Sequence, residues 1–271
     1  MAREQAEEHS RQEQDDTVHG RRVYAASVLI GILCASIAIG AVQWKKALMV
    51  HALAVEGERI VTRDEVIRLS GVTSQHALFG VNLARLQSML ESNPFIRHAR
   101  VQREAPSSIR VSITEREPAA ILVLNGRSEQ LYVDEEGCLL PCIMSQAIYD
   151  LPVITGVDSA QMFKPGMRTT NADILAALEI VKAAKAVSLE VSHLVSEVRV
   201  RNGHDIVLYA FDGGTPILFG QGDAVKKMAV LDAFWKKFMV EGNARELEYI
   251  DLRYDGQVVT LPKQQAAAAQ F

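Results

Sequence analysis

The feature that most constrains this chain is a run of twenty residues without a charge, Val23 to Val42. As a helix rising about 1.5 Å per residue, the run reaches roughly 30 Å, the thickness of the hydrocarbon core of a bilayer. A lone segment in lipid satisfies its backbone polar groups only as a helix. Residue types that favour lipid headgroups flank the run: Arg21 and Arg22 precede it, and Trp44, Lys45 and Lys46 follow it. The sequence therefore predicts a single transmembrane helix over residues 23–42.

Two other interpretations of this run compete with an anchor. A helix buried in a soluble domain would normally be shorter or show a polar face. A cleaved signal peptide is the stronger alternative, because Ala38-Ile39-Gly40 is an acceptable small-residue cleavage site. However, the apolar core of a signal peptide is only about 7–15 residues long and follows a basic leader. The leader here carries four arginines against six acidic residues, so we expect the segment to be retained as an anchor.

The charges beside the span do not decide its orientation. Within about 20 residues of the span, four Lys or Arg residues lie on its N-terminal side and three on its C-terminal side. Residues 1–22 are polar and lack hydrophobic periodicity, which predicts a disordered tail. Residues 263–271 are rich in Gln and Ala and predict a second disordered tail.

Beyond the span, residues 43–271 are enough for one large or two modest domains. The formal net charge of −4 argues against nucleic acid as the main partner. Three cysteines are too few for a disulfide scaffold. Cys34 lies in the apolar run. Cys138 and Cys142 could form a disulfide after export, or could be two small buried side chains.

Hydrophobic periodicity predicts a β-α-α-β-β order over residues 50–118. Thr62, with Glu65 three residues on, is typical of the start of a helix over Arg63 to Leu69. Asn82 is placed to cap a second helix, which ends before Pro94. The apolar face expected for this second helix comprises Leu83, Leu86, Met89 and Leu90. Strands are predicted at Ala52 to Glu56, at Ile96 to Arg103, and where Ile109, Val111 and Ile113 alternate with polar residues.

Residues 119–262 predict a mostly antiparallel β domain with two helices, so that the fold class is α+β. The helices are expected at Asn171 to Ala186 and Asp223 to Val240. Asn202-Gly203 predicts a hairpin between its flanking strands. The stretch through Pro152 and Pro165 is expected to be irregular. Glu246 to Leu261 is expected to form one or two strands around Asp255-Gly256.

No catalytic or metal-binding pattern emerges from the residues. The seven histidines lack a metal-ligand spacing, and no phosphate-binding loop or nucleophile motif is present. Gly220-x-Gly222 is better explained as a turn than as part of a dinucleotide site. Asp134-Glu135-Glu136-Gly137 is better explained as a turn with solvated charges than as a catalytic carboxylate pair. The pattern favours a protein that binds through its surface, without a cofactor.

Several motifs in register resemble one known family. In the first region these are Asn93-Pro94-Phe95-Ile96 and Glu115-Arg116-Glu117-Pro118-Ala119. In the second they are Val133-Asp134-Glu135-Glu136-Gly137, Leu151-Pro152-Val153-Ile154-Thr155-Gly156, Ile217-Leu218-Phe219-Gly220 and Tyr249-Ile250-Asp251-Leu252-Arg253-Tyr254. Together they are similar to the FtsQ/DivIB family of bacterial cell division proteins, which combines a single-pass anchor, a POTRA domain and a β domain.

The resemblance implies a protein without enzymatic activity. It implies the bacterial inner membrane, with the N-terminus in the cytoplasm, the bulk in the periplasm and concentration at the division septum. It implies FtsB-like and FtsL-like coiled-coil partners, and contacts of the POTRA domain with other division proteins. In that family a partner segment adds as a strand at the C-terminal edge of the β domain. The matching residues here are Arg253, Tyr254, Asp255, Gly256, Gln257 and Val258.

These six residues would contribute to partner binding in different ways. The guanidinium of Arg253 would bind a partner carboxylate through two parallel hydrogen bonds. Tyr254 would be an aromatic anchor. The backbone of residues 255–258 would form the hydrogen-bond ladder with the partner strand. Alternatively, Tyr254 and Val258 simply pack beneath the sheet. A POTRA-containing transport or outer-membrane assembly factor is the competing class of protein. Such proteins usually carry several POTRA repeats or a series of barrel strands, which this sequence does not show.

Overall fold

The computed structural model describes residues 27, 29–44, 48–142, 150–158, 163–201, 205–240 and 247–263. The predicted disordered tails lie outside these residues, apart from Lys263. The chain divides into two compact units. The first unit holds the described residues up to Ala54, with Gly71–Leu86 and Val101–Val111. The second unit holds Val55–Ser70, Gln87–Arg100 and the described residues from Ser112 onward.

Residues 29–44 form helix α1, and every side chain in it is exposed. In the described part of the chain, no helix is both long and apolar enough to cross a membrane. The predicted span of residues 23–42 includes residues 23–26 and 28, which lie outside that part, so the transmembrane helix stays a prediction.

The next five elements follow the predicted β-α-α-β-β order. They are β1 (Ala52–Glu56), α2 (Arg63–Ser70), α3 (Leu83–Glu91), β2 (Ile96–Glu104) and β3 (Ser108–Glu115). The three strands form one sheet in the order β1-β3-β2. Alternate residues of β3 are buried, as the period of two predicts: Ile109, Val111 and Ile113.

Both predicted helix caps are confirmed. Thr62 Oγ1 accepts a hydrogen bond from the Glu65 backbone N–H at 3.3 Å. Asn82 Oδ1 accepts one from the Arg85 N–H at 3.0 Å. The expected apolar face of α3 is wrong at Met89, which is 38 % exposed. Of the four residues expected on that face, Leu86 and Leu90 are the two that are fully buried, because they lie four residues apart along the helix.

Glu115, at the end of β3, ties this strand to the loop before α2. Its Oε1 accepts hydrogen bonds from the backbone N–H groups of Arg59 and Val61, at 3.2 and 2.9 Å. Its Oε2 accepts from the N–H of Ile60 at 2.7 Å. One carboxylate thus satisfies three backbone donors that a loop would otherwise leave to water. This explains why an acidic residue stands at the exit of the strand.

The remaining elements build a nine-stranded sheet covered by helices. Its strands are β4 (Pro118–Asn125), β5 (Gln130–Asp134), β6 (Leu139–Pro141), β7 (Val153–Asp158), β8 (Val195–Arg201), β9 (Asp205–Ala210), β10 (Pro216–Gly220), β11 (Leu247–Asp251) and β12 (Val259–Pro262). Their order is β12-β11-β10-β9-β8-β7-β4-β5-β6. Most neighbours are antiparallel, as predicted, but β4–β7, β7–β8 and β10–β11 are parallel.

Three helices accompany this sheet, α4 (Ala172–Val187), α5 (Leu189–Leu194) and α6 (Ala224–Val240). Asn171 begins α4 as predicted, because its Oδ1 accepts hydrogen bonds from the N–H groups of Asp173 and Ile174. One continuous apolar core joins the helices to the sheet. Its fully buried members include Leu122, Ile154, Ile174, Leu208, Ile217, Met228, Leu231 and Ile250.

The prediction for this domain is incomplete in three places. It misses the short helix α5, and it expects an irregular chain where β6 and β7 lie. Strand β7 escapes a period-two pattern because a bulge interrupts it: Thr155 and Gly156 together face the single residue Val123 of β4. The hairpin predicted around Asn202-Gly203 is confirmed in its strands, since β8 pairs antiparallel with β9. Its turn, residues 202–204, lies outside the described residues.

Neither alternative for the cysteines is correct. Cys138 and Cys142 are both free thiols, and Cys138 is buried whereas Cys142 is exposed. The extended strand β6 separates them, and four residues of strand span about 13 Å. A disulfide needs Cα atoms within about 7 Å, so the two cannot pair within this chain. Burial raises the pKa of the Cys138 thiol.

Candidate partner-binding edge

Strand β12 is the end strand on one side of the nine-stranded sheet. Within the described residues it pairs with a single strand, β11, in an antiparallel register that places Thr260 opposite Ile250 and Val259 opposite Asp251. An end strand carries backbone N–H and C=O groups on its outer side that no strand of the sheet can satisfy. Val259 and Leu261 are 39 % and 42 % exposed. The edge therefore combines an open backbone with accessible apolar side chains.

The structure places all six predicted binding residues in the connection between β11 and β12. Residues 254–256 form a turn, which the Gln257 N–H closes by donating to the Tyr254 carbonyl at 3.2 Å. In the free chain residues 257 and 258 follow this turn and belong to no strand, so a ladder between residues 255–258 and a partner stays a prediction. The strand that offers a ladder is β12, directly after these residues.

Tyr254 and Val258 differ in their surroundings. Tyr254 is 56 % exposed, so it is available to a partner rather than packed beneath the sheet. Val258 is partly buried and packs against the core. The alternative interpretation thus holds for Val258 and fails for Tyr254.

The guanidinium of Arg253 forms two parallel hydrogen bonds with the carboxylate of Asp251 in the same chain. Its Nε donates to Asp251 Oδ1 at 2.9 Å, and its Nη2 donates to Asp251 Oδ2 at 2.7 Å. The Asp251 side chain is 5 % exposed, whereas that of Arg253 is 49 % exposed. These hydrogen bonds hold the pKa of Asp251 below its ordinary value. Arg253 therefore orders the start of the connection through its Nε–Nη2 edge, and its contact with a partner carboxylate stays a prediction.

We expect Arg253→Met to destabilise the chain by about 1–2 kcal/mol at pH 7, because a buried carboxylate loses a charged, half-exposed partner. A lowered folded-state pKa means that the pair stabilises the fold above the ordinary value of 3.8 and stops doing so as the pH falls through the lower value. Urea unfolding should therefore show a difference between variant and parent at pH 7 that shrinks below pH 4. A constant difference at both pH values would contradict this role. Lys226→Met is the matched control, since it removes the exposed ion pair between Lys226 and Asp255.

The opposite wall of this region is the loop between β10 and α6. Gly220 has a φ of +70°, and a Cβ there would lie 3.0 Å from Arg253 Cγ, so glycine lets the arginine stem pass closely. Lys227 Nζ donates to the carbonyls of Phe219 and Gln221, at 2.7 Å each. Burial lowers the pKa of Lys227. These contacts hold the end of β10 beside the start of α6, and a shallow cleft lies between them and the connection.

The sequence prediction misses Val259 and Leu261, which lie on the edge strand itself. The signal is present in Val259-Thr260-Leu261, where two apolar residues alternate with a polar one. In the described residues no group of three or more His, Cys, Asp or Glu side chains is placed to hold a metal ion. This end of the sheet thus combines an end strand with the exposed side chains of Tyr254, Val259 and Leu261.

The family model of the POTRA domain, FtsQ-type, matches residues 48–116, and that of the Cell division protein FtsQ/DivIB, C-terminal, matches residues 121–253. A Cell division protein FtsQ from Anaeromyxobacter sp. (strain K) is 30 % identical over 214 residues, covering 78 % of this chain and 71 % of that protein. The chain belongs to the FtsQ/DivIB family.

Other relatives support this assignment over a larger part of the chain. A Cell division protein FtsQ from Geobacter sp. (strain M21) is 26 % identical over 235 residues, which covers 84 % of this chain and 83 % of that protein. Another from Salinibacter ruber is 27 % identical over 248 residues, covering 89 % of this chain and 93 % of that protein. This FtsQ/DivIB family member is a mixed α+β protein with a POTRA domain followed by a C-terminal β domain.

Proposed function

We propose that this chain is a non-enzymatic, membrane-anchored scaffold of the bacterial division machinery. It would link early and late division proteins by binding FtsB-like and FtsL-like coiled-coil proteins. The observation that carries the proposal is the open edge of β12, at the end of a nine-stranded sheet in a member of a cell division family. The anchor rests on the uncharged run at residues 23–42 and on the exposure of every side chain in α1.

The proposed binding mode is strand addition. A partner strand would pair with the outer side of β12, where backbone groups give affinity and alternate side chains give specificity. Arg253, Tyr254, Asp255, Gly256, Gln257 and Val258 would flank this strand. In this arrangement Tyr254 supplies the aromatic contact, Arg253 keeps the connection in shape through Asp251, and Val258 fastens the connection to the core.

We expect Tyr254→Glu to abolish capture of an FtsB-like partner in a pull-down, because the charge replaces an exposed aromatic anchor beside the edge. The variant should still unfold cooperatively, since the side chain is exposed in the free chain. Phe211→Glu is the matched control, because Phe211 is an aromatic residue that is 78 % exposed on a different turn. If Tyr254→Glu binds as well as the parent, this edge is not the binding site.

Three further measurements test the wider proposal. Backbone amides of residues 259–261 should exchange hydrogen more slowly once the partner is bound, as strand pairing requires. A fluorescent fusion of the full chain should concentrate at midcell. A C-terminal reporter should be active in the periplasm alone, and activity in the cytoplasm would overturn the proposed orientation.

A further inference from the structure

A small apolar protrusion lies in the first unit, close in sequence to the end of α1. Residues 77–80 form a turn in which the Gly80 N–H donates to the Ala77 carbonyl at 2.9 Å. Phe79 is the third residue of this turn and is 45 % exposed. Met49, which is 42 % exposed, pairs with Ala77 in an isolated antiparallel bridge. Two large apolar side chains thus extend from adjoining backbone segments of one unit.

The length of the chain keeps this protrusion near the end of α1. Four residues lead from Trp44, the last described residue of α1, to Leu48, and they span at most about 14 Å. Leu48 and Leu78 are joined directly, since the Leu78 N–H donates to the Leu48 carbonyl at 2.8 Å. Phe79 follows Leu78. The Phe79 backbone is therefore held within roughly 25 Å of the end of α1.

Several backbone carbonyls in and beside the protrusion accept internal hydrogen bonds. Arg103 Nε donates to the Leu78 carbonyl at 2.9 Å, and its Nη2 donates to the Val81 carbonyl at 2.6 Å. The His76 carbonyl accepts from the Val50 N–H at 3.0 Å. Because unsatisfied carbonyls are costly away from water, this pairing suits a loop that becomes partly dehydrated. The Arg103 guanidinium also lies 5.7 Å from the centre of the Phe79 ring, which places a cation beside the apolar tip.

The net positive charge of this part of the first unit favours binding to an anionic surface. Residues 48–54, 71–86 and 101–111 contain three arginines, Arg85, Arg103 and Arg110, and a single carboxylate, Glu104. Arg110 is already paired with that carboxylate at 2.8 Å. Basic residues close to a bilayer are attracted to anionic headgroups, and aromatic residues favour the interface.

We propose that Phe79 and Met49 insert into the lipid interface on the side of the membrane where the POTRA domain lies, so that the first unit docks on the bilayer. This inference rests on the anchor proposed above. Once the chain is anchored, the short connection makes docking intramolecular, so a shallow contact of two side chains suffices. The docked loop would limit how freely the domain turns about the end of the helix.

Tryptophan quenching by brominated lipids tests the proposal in the full chain, reconstituted in nanodiscs that contain phosphatidylglycerol. The parent has two tryptophans, Trp44 and Trp235, and the second is buried and gives a constant background. Trp44 reports on the anchor itself. In a Trp44→Phe background, Phe79→Trp reports on the loop, and Phe211→Trp is the control because it lies on an exposed turn of the second unit.

We expect Phe79→Trp to lose emission with lipids brominated near the headgroup, more than with lipids brominated deep in the chains, and Phe211→Trp to lose none. Equal emission losses in the two variants, with Trp44 quenched in the parent, would overturn the docking and leave the anchor intact. An unquenched Trp44 in the parent would overturn the anchor and the docking together. Met49→Trp provides a second reporter if Phe79→Trp fails to fold, which circular dichroism would show.

Discussion

Replacing Gly156 by alanine is expected to destabilise the β domain by more than about 3 kcal/mol, because it combines backbone strain with a steric clash. Gly156 lies in the bulge of β7 with a φ of +82°. A Cβ at this position would lie 1.9 Å from the Val200 carbonyl oxygen and 2.9 Å from its carbon. Both atoms belong to the backbone of β8, so relief requires the two strands to separate. Since β7 lies between β4 and β8, separation would break the middle of the sheet.

Thermal unfolding of the purified chain, followed by the near-ultraviolet signal of Trp235, measures this effect. A loss of that size lowers Tm by about 10 °C in a domain of this length. Gly213→Ala is the matched control, because Gly213 has a φ of +79° and a Cβ added there would meet no atom within 4 Å. The control shares the strain and lacks the clash, so it should cost only about 1–2 kcal/mol. If both variants lost the same amount of stability, the close approach of β7 and β8 would make no measurable contribution to the free energy of unfolding.

Replacing Asp134 by alanine is the second change with a large expected effect. Asp134 Oδ1 accepts hydrogen bonds from the N–H groups of Glu136 and Cys138, at 3.0 and 2.7 Å. Its Oδ2 accepts from Arg116 Nη1 at 2.8 Å. The side chains of Asp134 and Arg116 are 7 % and 19 % exposed. Alanine would leave two backbone donors without this acceptor, and the largely buried Arg116 would keep Glu136, whose Oε2 lies 3.2 Å from Nη1, as a carboxylate partner. We expect a loss of about 2–4 kcal/mol.

Glu135→Ala separates this effect from a general loss of negative charge. Glu135 is the neighbouring acidic residue, and its surface ion pair with Lys185 leaves 44 % of its side chain exposed. An exposed pair of this kind contributes less than about 1 kcal/mol. Guanidinium unfolding of both variants should therefore give clearly different midpoints. Similar midpoints would mean that the buried pair contributes no more than a surface pair.

Local chemistry explains which elements can be predicted from the sequence. Helices α2, α3 and α4 begin where Thr62, Asn82 and Asn171 accept hydrogen bonds from the following backbone N–H groups. Strand β3 shows its buried face directly in a period of two. These signals are carried by residues adjacent in sequence, and they do not depend on distant contacts.

The features that escape prediction depend on contacts between distant parts of the chain. Strand β7 is stabilised by parallel neighbours on both sides, and its own pattern is interrupted by the bulge at Thr155 and Gly156. The sequence around Asp134 predicts a turn with solvated acidic side chains. In the structure the Asp134 carboxylate is buried and accepts a hydrogen bond from Arg116, eighteen residues earlier. The ion pair of Arg253 with Asp251 also escapes prediction, since nothing in the sequence shows that Asp251 is buried beside it. In each case the deciding contact is tertiary.

The position of β12 in the sheet has a consequence for the order of events in the cell. Among the nine strands of the described sheet, β12 comes last along the chain, and it pairs with β11, which in turn lies on β10. A chain emerging from its N-terminus can form the sheet up to β10 first, but β12 has no surface to join until β11 is in place. The edge proposed above as the partner-binding site is thus the last part of the sheet to be completed. A partner that binds this edge would therefore bind a chain whose sheet is complete and would not bind a chain that is still being made or exported.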